Sequence, residues 1–130
     1  MSKLTESAEW QALNAHLEDI WHVHMRDLFR DNPQRFEQFS VRLGDLLLDF
    51  SKNRITDTSM QHLMDLARFS QLEQQRDRMY AGKKINCTEY RPALHIALRN
   101  RSNTPIMVDG EDVMPKVNAV LAKMRTFSEQ

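Results

Sequence analysis

The sequence predicts a mostly α-helical chain with short β-hairpins, and three observations carry that reading. Apolar residues recur at three- and four-residue spacings near both ends, at Trp10, Leu13, Leu17 and Ile20 and again at Val117, Val120, Leu121, Met124 and Phe127. This is the stripe of a 3.6-residue repeat. Short apolar runs flank the turn dipeptide Gly44-Asp45 and precede Asp109-Gly110, the local signature of strands ending in tight turns. The rest mixes 41% hydrophobic with 28% charged residues, the balance of a folded, water-soluble chain rather than a disordered or membrane one.

The first helix is expected over the Trp10 to Ile20 stripe. After Met25, Leu28 and Phe29, Asn32-Pro33 predicts a new helix with Asn32 as N-cap and Pro33 at the first helical position, anchored by Phe36 and Phe39. Val41 to Leu43 and Leu46 to Phe50 then read as two strands around Gly44-Asp45. Thr56 is placed to cap a helix whose apolar side is Met60, Leu63, Met64 and Ala67, with Ile55 and Met60 as its staple and Asp57 at its positive end.

A weakly amphipathic helix follows from Gln71 to Tyr80 and should stop at Gly82. The next is expected to start near Asn86 or Thr88, with Pro92 within its first turn and Leu94, Ala97 and Leu98 on its buried side. Asn100 to Thr104 reads as a loop closed by Pro105, Ile106 to Val108 as a short buried strand with a turn, and the last helix begins near Pro115. No residue ends that last stripe, which suits a chain cut from something longer.

At 130 residues the chain is the size of one ordinary domain. Eighteen basic and eighteen acidic side chains cancel, so no overall field favours nucleic acid or an anionic membrane as partner. The longest apolar streak, Leu46 to Leu48, is far too short for a bilayer, and MSKLTESAEW has no signal-peptide core, so the expected address is cytoplasmic. Single Cys87 cannot form an internal disulfide. Gly44, Gly82 and Gly110 lie far apart, so the clustered glycines of a phosphate-cradling loop are missing.

Candidate chemistry is sparse. His22 and His24 would share one side of a strand and could begin a metal site with His16, Asp27 or Asp31, but no third ligand stands at a readable spacing, and exposed histidines are the simpler reading. Arg91 and His95 are four apart, on one helical face, with Glu89 and Arg99 in reach; ion pairing between helices outweighs a catalytic reading. Cys87 sits beside Lys83, Lys84 and an expected helix start, conditions that activate a thiol, yet no histidine is near it to act as base. Met60, Met64, Met79 and Met124 fall on helix stripes and read as core filling. Ser51 and Ser102 lack the glycine-flanked elbow of a nucleophilic serine. On residue chemistry alone there is no catalytic, substrate-binding or metal site and no cofactor.

Three stretches carry a resemblance: Asp49-Phe50-Ser51-Lys52-Asn53-Arg54-Ile55-Thr56, then Lys84-Ile85-Asn86-Cys87-Thr88-Glu89, then the run from Leu94 to Phe127. They resemble the amino-terminal region of the glucose-6-phosphate isomerase (phosphoglucose isomerase) family. Arg-Asn-Arg-Ser-Asn-Thr-Pro-Ile, followed by Val-Asp-Gly and Asp-Val-Met-Pro, is a long unperiodic string that helix and strand patterning does not generate. The departures are Phe50 for the family's tyrosine, Pro92 for its alanine, and a compact Leu43-Gly44-Asp45 stretch.

The resemblance implies a cytoplasmic aldose-ketose isomerase of glycolysis and gluconeogenesis. It would interconvert glucose 6-phosphate and fructose 6-phosphate as a homodimer, without metal or cofactor. It further implies a larger α/β protein with doubly wound sugar-isomerase domains, of which residues 1–130 form an amino-terminal, mainly helical segment. In the family a glutamate moves the proton between C1 and C2 through an enediolate, a histidine assists ring opening, and a serine- and threonine-rich loop holds the phosphate. Those motifs match no residue here, so the catalytic portion is expected beyond residue 130 and the segment alone is expected to be inactive. Arg91 and His95 match the family's Thr-Glu-x-Arg-x-x-Leu-His pattern, which implies support of the site wall or subunit contact. The competing reading is a free-standing helical interaction module that binds a protein partner.

Overall fold

In the computed structural model, which describes residues 4–129, the chain divides into two compact units, Met1–Ser70 and Gln71–Gln130. The first unit begins with a 3-10 turn, Leu4–Glu6, and helix α1, Ala8–Ile20. Ser7 caps α1, its hydroxyl accepting from the Trp10 N–H at 3.1 Å. Two short helices, α2 (Met25–Asp31) and α3 (Arg35–Gln38), lead to strands β1 (Ser40–Leu43) and β2 (Leu46–Asp49), and helix α4, Asp57–Phe69, packs on α1.

The hairpin has the expected two-residue turn. Leu43 pairs with Leu46 and Ser40 with Asp49, while Gly44 takes φ +56°, a value that glycine adopts without strain. Its side chains are the surprise. Leu43 and Leu46 are 76% and 72% exposed, and Val41 and Leu48 beside them are exposed as well, so one face of this ribbon is apolar and uncovered, while the other carries Ser40, Arg42, Leu47 and Asp49.

The expected cap of α4 is present: the Thr56 hydroxyl accepts from Ser59 N–H at 3.3 Å, and the Ser59 hydroxyl accepts from Thr56 N–H at 2.9 Å. The helix expected at Asn32-Pro33 starts later. Asn32 uses its side-chain oxygen to accept from Gln34 N–H at 3.1 Å, forming a turn that delays α3 to Arg35. Only one of the two expected anchors there is buried: Phe39 is 3% exposed, against the edge of Phe50, whereas Phe36 is exposed.

In the second unit, α5 (Leu72–Tyr80) stops where the sequence places its end. Gly82, at φ +67°, closes it with Lys83 N–H bonded to the Arg78 carbonyl at 2.9 Å. The helix expected from Asn86 does not form, and α6 covers only His95–Arg99. Asn86 captures the N–H groups of Thr88 and Glu89 with its side chain and bridges Arg91 through the backbone, while Tyr90 sits at φ +52°. Pro92 also disfavours helical geometry at Arg91. Of the expected buried side, Ala97 is fully buried, Leu94 half-buried and Leu98 exposed.

Strands β3 (Met107–Val108) and β4 (Glu111–Asp112) form the second, very short hairpin around Asp109-Gly110, and α7 runs Met114–Ser128; β3 is not the buried strand expected, since Met107 is exposed and Val108 half-buried. The Asp112 carboxylate accepts from Ile106 N–H at 3.1 Å and Met114 N–H at 3.0 Å, which ties the hairpin to the start of α7. Along the α7 stripe Val117 and Leu121 are half-buried, whereas Val120, Met124 and Phe127 are exposed. Among the described residues the buried apolar side chains are Phe39, Ala97 and Met114. The methionines read as core filling are therefore corrected: Met60 and Met79 are half-buried, and Met64 and Met124 are exposed.

Candidate functional site

The strongest polar arrangement in the first unit was not legible in the sequence. Arg35, 2% exposed, lies over the rings of Phe39 and Phe29, its guanidinium carbon 4.6 Å and 5.6 Å from their centroids. It donates to the carbonyls of Ser51 (2.8 Å), Asn53 (2.8 Å) and Ile55 (2.9 Å). Burial pulls its pKa below the ordinary guanidinium value, and the three carbonyls take the place of a counter-ion.

Asp49 holds the other end of this loop, accepting from Ser51 Oγ at 2.6 Å and Ser51 N–H at 2.9 Å. Those hydrogen bonds, from the hydroxyl first, hold the Asp49 carboxyl below the usual carboxylate range. Residues 49 to 56, the first of the three stretches that carry the resemblance, are thus a loop fixed by Asp49 at one end and by Arg35 along its backbone.

His16 is buried rather than solvent-exposed. Its Nε2 lies 2.8 Å from Ser59 Oγ, its Nδ1 3.7 Å from Asp19, and its ring 5.4 Å from that of His62. The order serine, histidine, aspartate is that of a nucleophile relay, but the geometry is not. The Asp19 contact is beyond hydrogen-bond reach, and Ser59 Oγ is already engaged by Thr56 N–H in the helix cap. The cluster joins α1 to α4 beside an apolar groove of about 250 Å³ bounded by Trp10, Leu13, Leu17, Ile20 and Leu63.

The other candidates separate. His22 is exposed, and His24 caps α2, its Nδ1 accepting from Arg26 N–H at 3.1 Å, so the segment is no strand. Among the described residues no group of three histidine, cysteine or acidic side chains converges for a metal. Arg91 lies in the Asn86 bridge and His95 opens α6, so the pair does not share a helical face, and Glu89 is in the loop before them. Cys87 is exposed with no helix start beside it, and its Sγ contacts the Ile85 carbonyl at 3.5 Å. Ser51 is buried against Asp49, and Ser102 bonds Asn100 and Thr104 at 2.8 Å.

The Asn100 to Thr104 stretch shows what its unusual string does. Asn100 accepts from Ser102 N–H at 3.0 Å and donates to the Thr104 carbonyl at 2.8 Å, while Asn103, at φ +57°, accepts from the Asn118 amide of α7 at 2.9 Å. These residue types are required by loop hydrogen bonding, not by a repeat.

Comparison with known proteins turns those strings into kinship. The sequence model of phosphoglucose isomerase matches residues 49–130. The chain belongs to the phosphoglucose isomerase family. It is 56% identical over 128 residues to glucose-6-phosphate isomerase 1 of Chromobacterium violaceum and 54% identical over 129 residues to glucose-6-phosphate isomerase of Methylococcus capsulatus. These matches cover 98% and 99% of this chain but 23% and 24% of the relatives, so the chain spans about a quarter of their length. Within the phosphoglucose isomerase family match lie the Asp49 to Thr56 loop, the Asn86 turn and the Asn100 to Thr104 loop.

Proposed function

We propose that this chain is the amino-terminal segment of a glucose-6-phosphate isomerase, an enzyme that interconverts glucose 6-phosphate and fructose 6-phosphate in glycolysis and gluconeogenesis. The carrying observation is identity of 54–56% along almost the whole chain to proteins of that name. In this reading the proton-transfer residues and the phosphate-holding loop lie outside these 130 residues, and the segment contributes packing rather than chemistry. The satisfied state of Arg35, His16 and Ser59 supports that role: each is spent on holding backbone or helices together.

The parent enzyme is read as a cytoplasmic homodimer working without metal or cofactor on a sugar phosphate. No helix among the described residues is long and apolar enough to cross a membrane.

A chimera tests the reading. The matching segment of the Chromobacterium violaceum relative is replaced by this chain, and isomerase turnover is measured in a coupled assay. Turnover within several-fold of the parent is expected. A folded chimera without turnover contradicts the assignment.

A further inference from the structure

In the second unit a polar cavity of about 440 Å³ lies between the end of α5 and the β3–β4 turn. Arg78, Lys83, Lys84 and Tyr90 line it together with Asp109. Three cations against one carboxylate make a local excess of positive charge in a chain of zero net charge.

The walls are held in place. Lys84 Nζ donates to Asp109 at 2.8 Å and lies 4.9 Å from the centre of the Tyr90 ring. A Cβ on Gly82 would collide with the Met107 carbonyl, so the end of α5 and β3 meet backbone to backbone. Gly82, Tyr90, Asp109 and Gly110 all have positive φ and all line this cavity. At Asp109 and Gly110 the two-residue turn calls for that conformation, whereas for Tyr90 it is unfavourable, and such strain gathers at binding sites.

Structural needs explain the Lys84–Asp109 pair. Arg78, which donates to Gln75 Oε1 at 3.4 Å, and Lys83 are both exposed, line the cavity and have no acidic partner among the described residues. We propose that this cavity binds a small oxyanion of the phosphate-ester class, with Arg78 and Lys83 on its oxygens and Lys84 shared between the ligand and Asp109. A guanidinium offers paired donors to such an anion and an ammonium a mobile point charge. The volume suits a ligand of a few carbon atoms. None of Arg35, His16 and Ser59 lines this site, and its test needs no turnover.

Inorganic phosphate and then pyrophosphate are titrated into the full chain while backbone amide resonances are followed, with chloride at matched ionic strength as control. Saturable shifts at Gly82, Lys83 and Gly110 with a low-millimolar dissociation constant are expected. The Arg78→Gln, Lys83→Gln double variant should weaken binding by roughly tenfold. Asp109→Asn removes a competing carboxylate and should tighten binding by about threefold. Shifts that chloride reproduces, or affinity unchanged in the double variant, overturn the proposal. Should that variant fail to fold, Asp109→Asn decides alone: unchanged or weaker binding overturns it.

Discussion

Arg35 Nε donates to the carbonyl of Ser51 at 2.8 Å, joining α3 to the loop that follows the first hairpin. Two further bonds from the same guanidinium, to Asn53 and Ile55, make this buried side chain the organiser of residues 51 to 55. Arg35→Ala leaves these carbonyls to find other partners and empties a space over Phe39. It should destabilise the first unit by roughly 3 kcal/mol. Arg35→Lys should recover less than half of the loss, because one ammonium cannot reach what the planar fork reaches. Chemical denaturation followed by circular dichroism measures both.

The cap of α4 gives a graded pair. Thr56→Ala removes one acceptor for an N–H group and should cost about 1 kcal/mol. Ser59→Ala removes the reciprocal acceptor and also the partner of buried His16, so it should cost more. Equal losses in denaturation midpoint would show that the His16 contact contributes nothing.

Gly82 and Gly44 both have positive φ, but only Gly82 faces backbone. Gly82→Ala combines conformational strain with a clash against Met107 and should destabilise by more than about 2 kcal/mol, whereas Gly44→Ala should cost about 1 kcal/mol. Thermal melts of the two variants give the comparison.

Asp49 and Lys84 set opposite pH limits. The folded pKa of Asp49 lies below its ordinary value of 3.8, so its contribution is fully present above that pH and lost as pH falls through the lower folded value. The pKa of Lys84 is raised above 10.5 by its bond to Asp109, so its contribution is present below that pH and lost as pH rises through the higher folded value. Asp49→Asn should flatten the acid limb of a stability profile and Asp109→Asn the alkaline limb.

One face of the first hairpin, formed by Val41, Leu43, Leu46 and Leu48, is apolar and exposed, a surface that invites association. In isolation the chain should associate as concentration rises, and Leu43→Lys with Leu46→Lys should suppress this. Sedimentation velocity of both forms measures it.

Much of this architecture was written locally. The Gly44-Asp45 and Asp109-Gly110 turns, the Thr56 cap and the Gly82 stop each depend on a few adjacent residues, and each appears where the sequence places it. Where a side chain competes with the helix for backbone N–H groups, periodicity misleads: Asn86 and Asn32 replaced expected helical turns with their own. Burial of Arg35 and His16 could not be read, since it depends on partners far along the chain, Ser51 and Ser59. Covered and uncovered apolar stripes also look alike in sequence, and α1 and α7 carry the same spacing whatever lies against them.

The proposed role of this chain is packing within an isomerase, with proton transfer carried by residues outside these 130. Interconversion of glucose 6-phosphate and fructose 6-phosphate should be assayed side by side for the 130-residue chain and for the chimera in which it replaces the matching segment of the Chromobacterium violaceum relative. Turnover is expected from the chimera and none from the chain alone. Turnover by the 130-residue chain, or a folded chimera with none, would overturn that role.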